Sequence, residues 1–465
     1  MKSFIQLSKS ILLICLSILL WTACEKSTDS PSPPPTPDFT VPTITPSGNE
    51  QYLNLKSDYI FDQEKLHTFE LKIPDASLSK LDADPTAEEY VEGMLIFEGD
   101  TISPVGVRYK GSIGAFSGCV SNFQLGNPSG YKTCTKLSMK VKINWEGREE
   151  KFYKLKKLQF HSQNNDDSQM HDRLGYWLFR SMGVSAPRSV HARLVINGKY
   201  SGLYALTEQI DGRFTRYNFD DGEGNLYKEI WPLSMNGFPY SEGDYLNALE
   251  TNEDENPSID IIRRFGQRIA DASPSDIQQV IAESMNINEI MSYAVVDRMI
   301  RHDDGPFHWY CGGGECTNHN YFWYEEPTNK QLHLIPWDMD NAFQNIISPA
   351  NPVTPIADKW GETRNNCQPF AYGFLGIEQW SASCDKLTAA WVSFEEEYET
   401  LKTEFKNGPF AEEEVNTLID TWTAQIREAT IEARETYYGD AISVQEWEAA
   451  IAQLKNRLAF ARLID

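Results

Sequence analysis

The sequence predicts an α+β fold with a β-rich N-terminal half and a helical C-terminal half. Short runs in which apolar and polar residues alternate, typical of half-buried strands, fill much of residues 50–255. From about residue 257 the apolar residues recur at helical spacing instead. Two further β-type runs near residue 335 place one hairpin inside the helical half. This change of pattern predicts two lobes, residues 50–255 and 256–465.

The first residues have the features of an export signal. Lys2 and Lys9 precede the apolar run ILLICLSILLW, and Ala23 stands directly before Cys24. We therefore expect residues 1–23 to be a signal peptide and Cys24 to be lipidated. An exported protein would then be anchored to a bacterial membrane, at the outer membrane or the cell surface. A plain signal peptide and a transmembrane anchor are the alternatives, although the apolar run is short for a span.

A segment of low complexity follows the signal. Residues 24–49 are rich in proline, serine and threonine. Such a composition cannot bury a hydrophobic core, and it predicts a semi-rigid tether. The folded part is expected to begin near residue 50.

The N-terminal half is predicted to contain strands in HTFELKIP, GMLIFEGDTISPVGVRYKGS and KLSMKVKINWEG. A helix follows in SQMHDRLGYWLFRSMG, where apolar residues have helical spacing and Gly183 supplies a stop. RSVHARLVINGKYSGLYALTEQI predicts a hairpin, because Asn197-Gly198 favours a tight turn between two strands. GNLYKEI is expected to add one more strand.

The C-terminal half is predicted to be helical from SIDIIRRFGQRIAD to MSYAVVDRMI and again over its last 80 or so residues. Between these helical regions, NYFWYEE and QLHLIPW are predicted to form a hairpin that turns at residues 327–329.

The charge of the chain excludes one class of partner. The formal net charge is −25 at pH 7. Because phosphate backbones require a basic surface, nucleic acid is not an expected partner. Membrane contact is expected only through the N-terminal lipid.

The cysteines predict disulfides. Of the eight cysteines, Cys15 lies in the signal and Cys24 is the candidate lipid site, which leaves six. In an exported protein an even number predicts disulfides, and pairing of sequence neighbours gives 119–134, 311–316 and 367–384. A zinc site is the alternative, but no CxxC pair supports it.

The predicted hairpin ends in IPWDMD, which contains Asp338 and Asp340. On an extended strand these two carboxylates would point the same way. Hard cations prefer such oxygen ligands. An exposed turn is the alternative, and the motif alone is a weak signal.

Other polar residues strengthen the motif. Asp303 and Asp304 follow a predicted helix, and His319-Asn320 opens the hairpin. A loop carboxylate, an asparagine and a strand-end carboxylate are the side chains used in metal-assisted phosphoryl transfer. RYKGSIG, residues 108–114, is a basic turn whose backbone N–H groups could meet phosphate oxygens, with a plain β-turn as the alternative.

Several stretches resemble, in the same order, the spore-coat protein H (CotH) kinase family. They are KKLQFHSQNNDDSQMHDRLGYWLFRSMGVSAPRSVHARLVINGKYSGLYALTEQID, GNLYKE and HNYFWYEEPTNKQLHLIPWDMDNAF, within a similarity from about residue 95 to 345. The resemblance implies an atypical protein-kinase-like fold with two lobes. It also implies an enzyme that uses ATP and Mg²⁺ to phosphorylate secreted or coat proteins.

The resemblance assigns roles to the acidic residues. Asp338 matches the metal-binding aspartate, with Asp340 as its neighbour and Asn320 as a further ligand. Asp304, or else Asp303, matches the catalytic base. Between Asp304 and Asn320 the chain carries GPFHWYCGGGECTNH, which is longer than the compact form of the family.

The resemblance also implies nucleotide contacts from the N-terminal lobe. The basic turn matches the family's basic stretch, and the choice between two further lysines stays open. The candidates are Arg108, Lys110, Gly111 and Ser112 in the turn, Lys142 or Lys228 as the nucleotide lysine, and Glu208 as its partner.

The favoured function is transfer of phosphate from ATP to hydroxyl groups of extracytoplasmic proteins with Mg²⁺ or Mn²⁺. The alternative is a non-catalytic surface or adhesion protein that binds a glycan or protein, with structural Ca²⁺ or Mg²⁺ at the same carboxylates. A different transferase on the same scaffold is a further alternative, because a fold does not fix its chemistry. His161, His171 and His191 are interpreted as ordinary hydrogen-bonding histidines and Trp337 as core packing.

Overall fold

The computed structural model describes residues 51–111, 113–124, 127–255, 257–343, 359–372 and 377–464. These residues all fall in one unit of the chain, Ile44–Asp465. The predicted signal peptide, Cys24 and the whole of the predicted tether lie outside the described residues. Within the described ranges, no helix is both long and apolar enough to cross a membrane.

As predicted, most of the strands lie in the N-terminal half of the chain and most of the longer helices lie in the C-terminal half. The strands are β1 His67–Lys72, β2 Val91–Phe97, β3 Asp100–Tyr109, β4 Val120–Asn122, β5 Ser129–Lys132, β6 Met139–Lys142, β7 Lys157–His161, β8 Ser189–Ile196, β9 Lys199–Thr207, β10 Leu226–Lys228, β11 His308–Gly312, β12 Glu315–Thr317, β13 Tyr321–Glu326, β14 Gln331–Pro336, β15 Phe370–Tyr372 and β16 Ile377–Ser381. The helices are α1 Gln51–Asn54, α2 Asp75–Ala83, α3 Ile113–Phe116, α4 His171–Ser181, α5 Gly212–Asn218, α6 Glu242–Asn247, α7 Asp260–Asp271, α8 Ile277–Ser284, α9 Ile287–Met299, α10 Lys386–Trp391, α11 Glu395–Asn407, α12 Glu412–Thr436 and α13 Val444–Ile464.

The N-terminal strands close into a barrel in the order β1-β2-β3-β6-β7-β9-β8. All of these pairs are antiparallel except β1 and β8, which run parallel. Alternate residues of the strands, including Leu71, Val107, Val141 and Phe160, are fully buried inside the barrel. The intervening residues of β3, β6 and β7 therefore face outwards, where they are available to a ligand.

The predicted hairpin is confirmed as β8 and β9. Its turn residues Asn197 and Gly198 have φ of +51° and +79°. These left-handed values are those that a two-residue hairpin turn of this kind requires at both positions.

A second core lies between α4, the sheet β10-β13-β14 and the C-terminal helices. Its largest buried side chains include Trp231, Trp323 and Trp391. The α+β architecture, with a β-rich N-terminal part and a helical C-terminal part, is thus confirmed. The boundary at residues 255 and 256 stays a prediction, and β10, which precedes it, pairs with β13 in the C-terminal sheet.

The six cysteines are joined as three disulfides, Cys119–Cys134, Cys311–Cys316 and Cys367–Cys384. These are the predicted sequence neighbours. The second bridge joins paired residues of β11 and β12, inside the long segment that precedes Asn320.

Candidate functional site

The predicted acidic residues meet where β13 begins and β14 ends. The two strands pair from Tyr321 opposite Pro336, so the residues beyond this pair are neighbours. The Trp337 N–H donates to the Asn320 carbonyl at 3.1 Å. Asn320 and Asp338 are therefore close in space although they are distant in sequence.

Asp304 lies in the loop after α9 and is held by this same strand end. His319 Nε2 donates to Asp304 Oδ1 at 2.7 Å, and Asn320 Nδ2 donates to Oδ2 at 2.8 Å. Asn341 Nδ2 lies 3.4 Å from Oδ2. Burial alone would raise the pKa of Asp304, but the hydrogen bond and charge of His319 outweigh it and lower that pKa. Asp304 is accordingly an ionised acceptor at neutral pH.

A buried histidine fixes the loop of Asp304 to Asp338. His302 Nδ1 lies 3.0 Å from Asp297 Oδ2, and Nε2 lies 2.8 Å from the Asp338 carbonyl. Burial acts to lower the pKa of His302, but the hydrogen bond and charge of Asp297 outweigh it and raise that pKa. In protein kinases the catalytic aspartate lies two residues after a histidine, in H-R-D. His302 precedes Asp304 by the same spacing.

Asp303 has a different environment. Its residue is 1% exposed, and His308 Nδ1 lies 3.7 Å from its Oδ1. Its carbonyl accepts the Tyr310 hydroxyl at 2.9 Å. These contacts fit a structural residue behind the site and favour Asp304 over Asp303 as the residue that meets a substrate.

Asp338 and Asp340 come together through a turn. Asp338 has φ of +57°, and Met339–Asn341 forms one turn of 3-10 helix. The chain is not extended here, so strand alternation is not what aligns the two carboxylates. The Asp338 N–H donates to the Tyr176 hydroxyl at 3.0 Å, and His171 Nδ1 lies 2.8 Å from the Asp340 carbonyl, so α4 holds this turn in place.

We call Asp172, Asp304, Asp338 and Asp340 the acidic cluster. Burial and the charge of Asp172 raise the pKa of Asp338. Burial, Asp338 and Asp172 raise the pKa of Asp340 well above its ordinary value. Asp340 Oδ1 is buried and has no hydrogen-bond partner among the described residues. The charges of His161 and Lys110 act to lower the pKa of Asp338 but do not outweigh burial and the charge of Asp172.

A direct metal cage is not present in the described part of the chain. There, no group of three or more His, Cys, Asp or Glu side chains is placed to hold a metal ion. Any cation bound between Asp338 and Asp340 would need ligands from another source, such as an amide, water or a bound phosphate.

Lys110 approaches the acidic cluster from the barrel. Its Nζ donates to Gln159 Oε1 at 3.0 Å and to His161 Nε2 at 2.9 Å, and lies 5.2 Å from the centre of the Trp337 ring. Burial lowers the pKa of Lys110 to about 8, against the opposing charges of Asp338 and other carboxylates.

Lys110 belongs to a group of cations, most of them on or next to barrel strands and one of them, Lys228, on β10 of the second sheet. We call Arg108, Lys110, Lys140, Lys157 and Lys228 the basic cluster. Lys140 pairs in register with Arg108 on β3. Burial, followed by repulsion from Lys110, Lys157 and Arg108, lowers the pKa of Lys140 to about 7. Lys228 repels Lys110 in the same way.

The predicted phosphate-binding turn carries an internal carboxylate. Glu88 forms an ion pair with Arg108 and accepts the Gly111 N–H at 3.1 Å. Two of the predicted phosphate donors are therefore already engaged. Ser112 lies outside the described residues.

The remaining candidates for nucleotide binding, Lys228, Lys142 and Glu208, have different surroundings. Lys228 Nζ is 3.9 Å from Glu229 Oε1, whereas Lys142 Nζ lies over the Trp145 ring, 5.8 Å from its centre. Glu208 does not pair with a lysine in the described structure, because Arg188 Nη2 binds its carboxylate at 2.5 Å. The structure thus brings Lys110 to the acidic cluster and Lys228 close enough to Lys110 to repel it, whereas Lys142 and Glu208 have other partners.

Sequence reasoning missed His161, Asp172, His302 and Lys140. The interpretation of His161 as an ordinary histidine was incomplete, since it contacts Lys110 and lies 5.6 Å from the Trp337 ring centre. The spacing of His302 and Asp304 was an available signal. No sequence signal indicated Lys140, because only the pairing of β3 with β6 places it beside Arg108.

The family model described as CotH kinase protein matches residues 107–460. No curated protein matches the chain at a significant level. A solved chain from the complex of the Shewanella oneidensis MR-1 toxin–antitoxin proteins HipA and HipB with operator DNA is 11% identical, with a TM-score of 0.25. That alignment covers 70% of this chain and 63%, less than two thirds, of the other, a similarity too low to establish a shared function.

Proposed function

Because the chain belongs to the CotH kinase family, we propose that it transfers phosphate from ATP to hydroxyl groups of extracytoplasmic proteins with the help of a divalent metal. Family membership supports a kinase-like function in general. The donor, the metal and the acceptor are the parts that we propose. One observation carries them, which is that Lys110 of the basic cluster lies beside the acidic cluster, where its charge and that of Asp338 act on each other.

Each cluster keeps members that form no ion pair among the described residues, although Glu88 pairs with Arg108 and His319 with Asp304. Lys140 is half-buried among Lys110, Lys157 and Arg108, and repulsion between these cations lowers its pKa. Asp338 and Asp340 repel each other and are buried as well. A metal nucleotide presents phosphates to one cluster and a cation to the other, so it relieves both kinds of repulsion.

The acidic side fits a kinase-type metal. Asp338 and Asp340 supply carboxylate oxygens, Asp340 Oδ1 has no hydrogen-bond partner among the described residues, and Asn320 lies at the same strand end. Kinases hold Mg²⁺ with one aspartate, one asparagine and the phosphates, so a cage of three protein carboxylates is not required. Bound Mg²⁺ or Mn²⁺ would neutralise charge on the phosphates.

Asp304 is proposed to accept the proton of the attacking hydroxyl. Its lowered pKa keeps it ionised, and Oδ1 has a second lone pair beyond the bond to His319. His302 and the hairpin hold it at a fixed distance from Asp338. Positioning and charge stabilisation are most of what this chemistry requires from a protein.

Export and anchoring complete the proposal. The signal-like sequence 1–23 and Cys24 would carry the folded part across the inner membrane and attach it to lipid. Retention of Cys24→Ala in the membrane fraction, in amounts equal to the wild type, would contradict this part.

The test of transfer uses γ-labelled ATP with Mg²⁺ or Mn²⁺ and a general acceptor protein. Wild type should incorporate label, and Asp338→Ala should reduce the rate by about a thousandfold. Asp420→Asn, an exposed carboxylate paired with Lys455, is the matched control and should keep the wild-type rate. Equal incorporation by wild type and Asp338→Ala would overturn the assignment.

A second candidate function is favoured by Glu88. Since Glu88 already engages Arg108 and Gly111, a chain that never admits nucleotide would be a non-catalytic surface protein with a structural cation. This candidate predicts stabilisation by Ca²⁺ or Mg²⁺ alone, no change with ATP and no transfer of label.

A further inference from the structure

We propose that His161 and Asp172 are positioning residues that hold Lys110 towards the bound phosphates, in place of a direct lysine–carboxylate pair. This inference rests on the proposed function and names two residues that act through Lys110. The observation is an unbroken chain of polar contacts from α4 to the end of β3.

The contacts are short and sheltered from water. His161 Nδ1 lies 2.8 Å from Asp172 Oδ2, and His161 Nε2 lies 2.9 Å from Lys110 Nζ. The side chains of His161 and Asp172 are 12% and 4% exposed. The Trp337 ring stands edge-on to the imidazole at 5.6 Å, which fixes its plane.

The chemistry of the groups fixes the direction of each hydrogen bond. An ammonium only donates, so His161 Nε2 must be the acceptor for Lys110 and must carry no proton. The proton of the neutral imidazole then lies on Nδ1, where it is donated to Asp172. The carboxylate thus selects the tautomer that can accept from the lysine.

This arrangement leaves Lys110 available to a phosphate. An ammonium has three N–H groups, and Gln159 and His161 accept two of them. The third is the one that the proposal assigns to a phosphate oxygen of the nucleotide. In protein kinases a helix glutamate pairs directly with the nucleotide lysine. Here the helix acid acts through a histidine, and Glu208 is engaged by Arg188.

The same helix also holds the metal side of the site. His171 and Tyr176 of α4 contact the backbone of Asp340 and Asp338. Asp172 therefore links the lysine to the same rigid element that positions both aspartates, which fixes the distance between the phosphate and metal sites.

The test is a double-mutant cycle on Lys110→Met and His161→Leu, measured by calorimetric binding of Mg·ATP to the folded domain. His161→Leu alone should weaken binding by about tenfold. In the Lys110→Met background it should cause no further loss, because a positioning residue acts only through its lysine. His161→Gln, whose amide can accept from Lys110 and donate to Asp172, should restore affinity to within about threefold of wild type.

His333→Leu is the matched control. His333 Nδ1 lies 2.9 Å from Glu289 Oε2, and the two side chains are 11% and 16% exposed, which closely matches the His161–Asp172 pair. It lies on β14 away from Lys110 and should lower the melting temperature without changing Mg·ATP affinity. Equal effects of His161→Leu and His333→Leu on affinity would overturn the inference.

The same cycle, measured as melting temperature without nucleotide, separates this inference from the proposed function. Lys110→Met and His161→Leu should together cost less stability than the sum of the two alone. Simple additivity in both cycles would overturn the positioning role. A wild type that binds no nucleotide would overturn the proposed function, and the stability cycle would still decide whether His161 holds Lys110.

Discussion

The basic cluster, most of which lies on or next to barrel strands, and the acidic cluster, which gathers near the end of β14, are opposite in charge and different in construction. Lys140 lies on one of several neighbouring strands of the barrel, and its position follows from strand register. Asp304, Asp338 and Asp340 come from a loop and a turn that hydrogen bonds hold in place. Each cluster concentrates like charges, which costs stability unless a ligand of opposite charge binds.

This difference in construction suggests different roles for the two clusters in the proposed site. The barrel offers a face of adaptable cations, suited to the diffuse charge of phosphates. The acidic side is fixed by named hydrogen bonds, as proton transfer and metal binding require more exact geometry. Substitutions on the acidic side should therefore affect rate most, and substitutions on the basic side should affect affinity most.

The largest expected effect after the loss of Asp338 separates the two adjacent acids. Asp304→Asn should reduce kcat by about a hundredfold to ten-thousandfold, because it removes the proposed proton acceptor. Asp303→Asn should mainly lower the melting temperature, because Asp303 is buried behind the site. Steady-state kinetics and thermal unfolding on both variants measure this, and the reverse pattern would assign the base to Asp303.

The basic side should show its effect in affinity. Lys140→Met should weaken Mg·ATP binding by about tenfold while kcat falls little. The same variant should be more stable than wild type without nucleotide, because repulsion from Lys110, Lys157 and Arg108 disappears. Calorimetry and thermal unfolding test this, with Lys402→Met on α11 as a control that should leave affinity unchanged.

Asp340→Asn should change stability in opposite directions with and without metal. The folded-state pKa of Asp340 is raised, so the ionised group destabilises the fold at neutral pH, and this cost disappears as the pH falls below its ordinary pKa. Without metal at pH 7 the variant should melt at a higher temperature than wild type. Added Mg²⁺ and ATP should then stabilise it less than wild type. Equal melting temperatures at pH 7 would contradict the repulsion.

The smallest expected effect is a pH dependence from His319. Its burial acts to lower its pKa, but Asp304 outweighs this and raises the pKa of His319, while the pKa of Asp304 is lowered. The pair therefore stabilises the fold above the ordinary pKa of aspartate. That stabilisation is lost as the pH rises through the raised pKa of His319. His319→Leu should thus lose most stability near pH 5 to 6, and a loss that grows above pH 8 would contradict the pairing.

The local parts of the fold were predictable, and the long-range parts were not. The stop at Gly183 and the turn at Asn197-Gly198 depend on neighbouring residues, and both are confirmed. Closure of the barrel depends on pairing β1 with β8, where Phe69 meets Leu194. No local pattern indicates that contact between residues so distant in sequence.

In the candidate site too, residues next to recognisable local elements were predictable and long-range pairs were not. Asp304, Asn320 and Asp338 were predicted because each stands at the end of a recognisable element. His161 and Asp172 were missed because one histidine at a strand end and one acid on a helix form no recognisable motif. They become a pair only when the fold brings α4 beside the end of β7. Glu208 was a reasonable partner for a lysine by sequence, but Arg188, which directly precedes the neighbouring strand β8, binds it instead.

The central claim is that one metal nucleotide binds both clusters at once, with its phosphates at the basic cluster and its cation at the acidic cluster. Calorimetry of ATP binding with and without Mg²⁺ tests this claim most directly. The account predicts that ATP and Mg²⁺ each bind weakly alone and strengthen each other by about tenfold or more, reciprocally. Asp338→Ala should remove this coupling and leave weak, metal-independent ATP binding. Equal ATP affinity with and without Mg²⁺ in the wild type would contradict the claim.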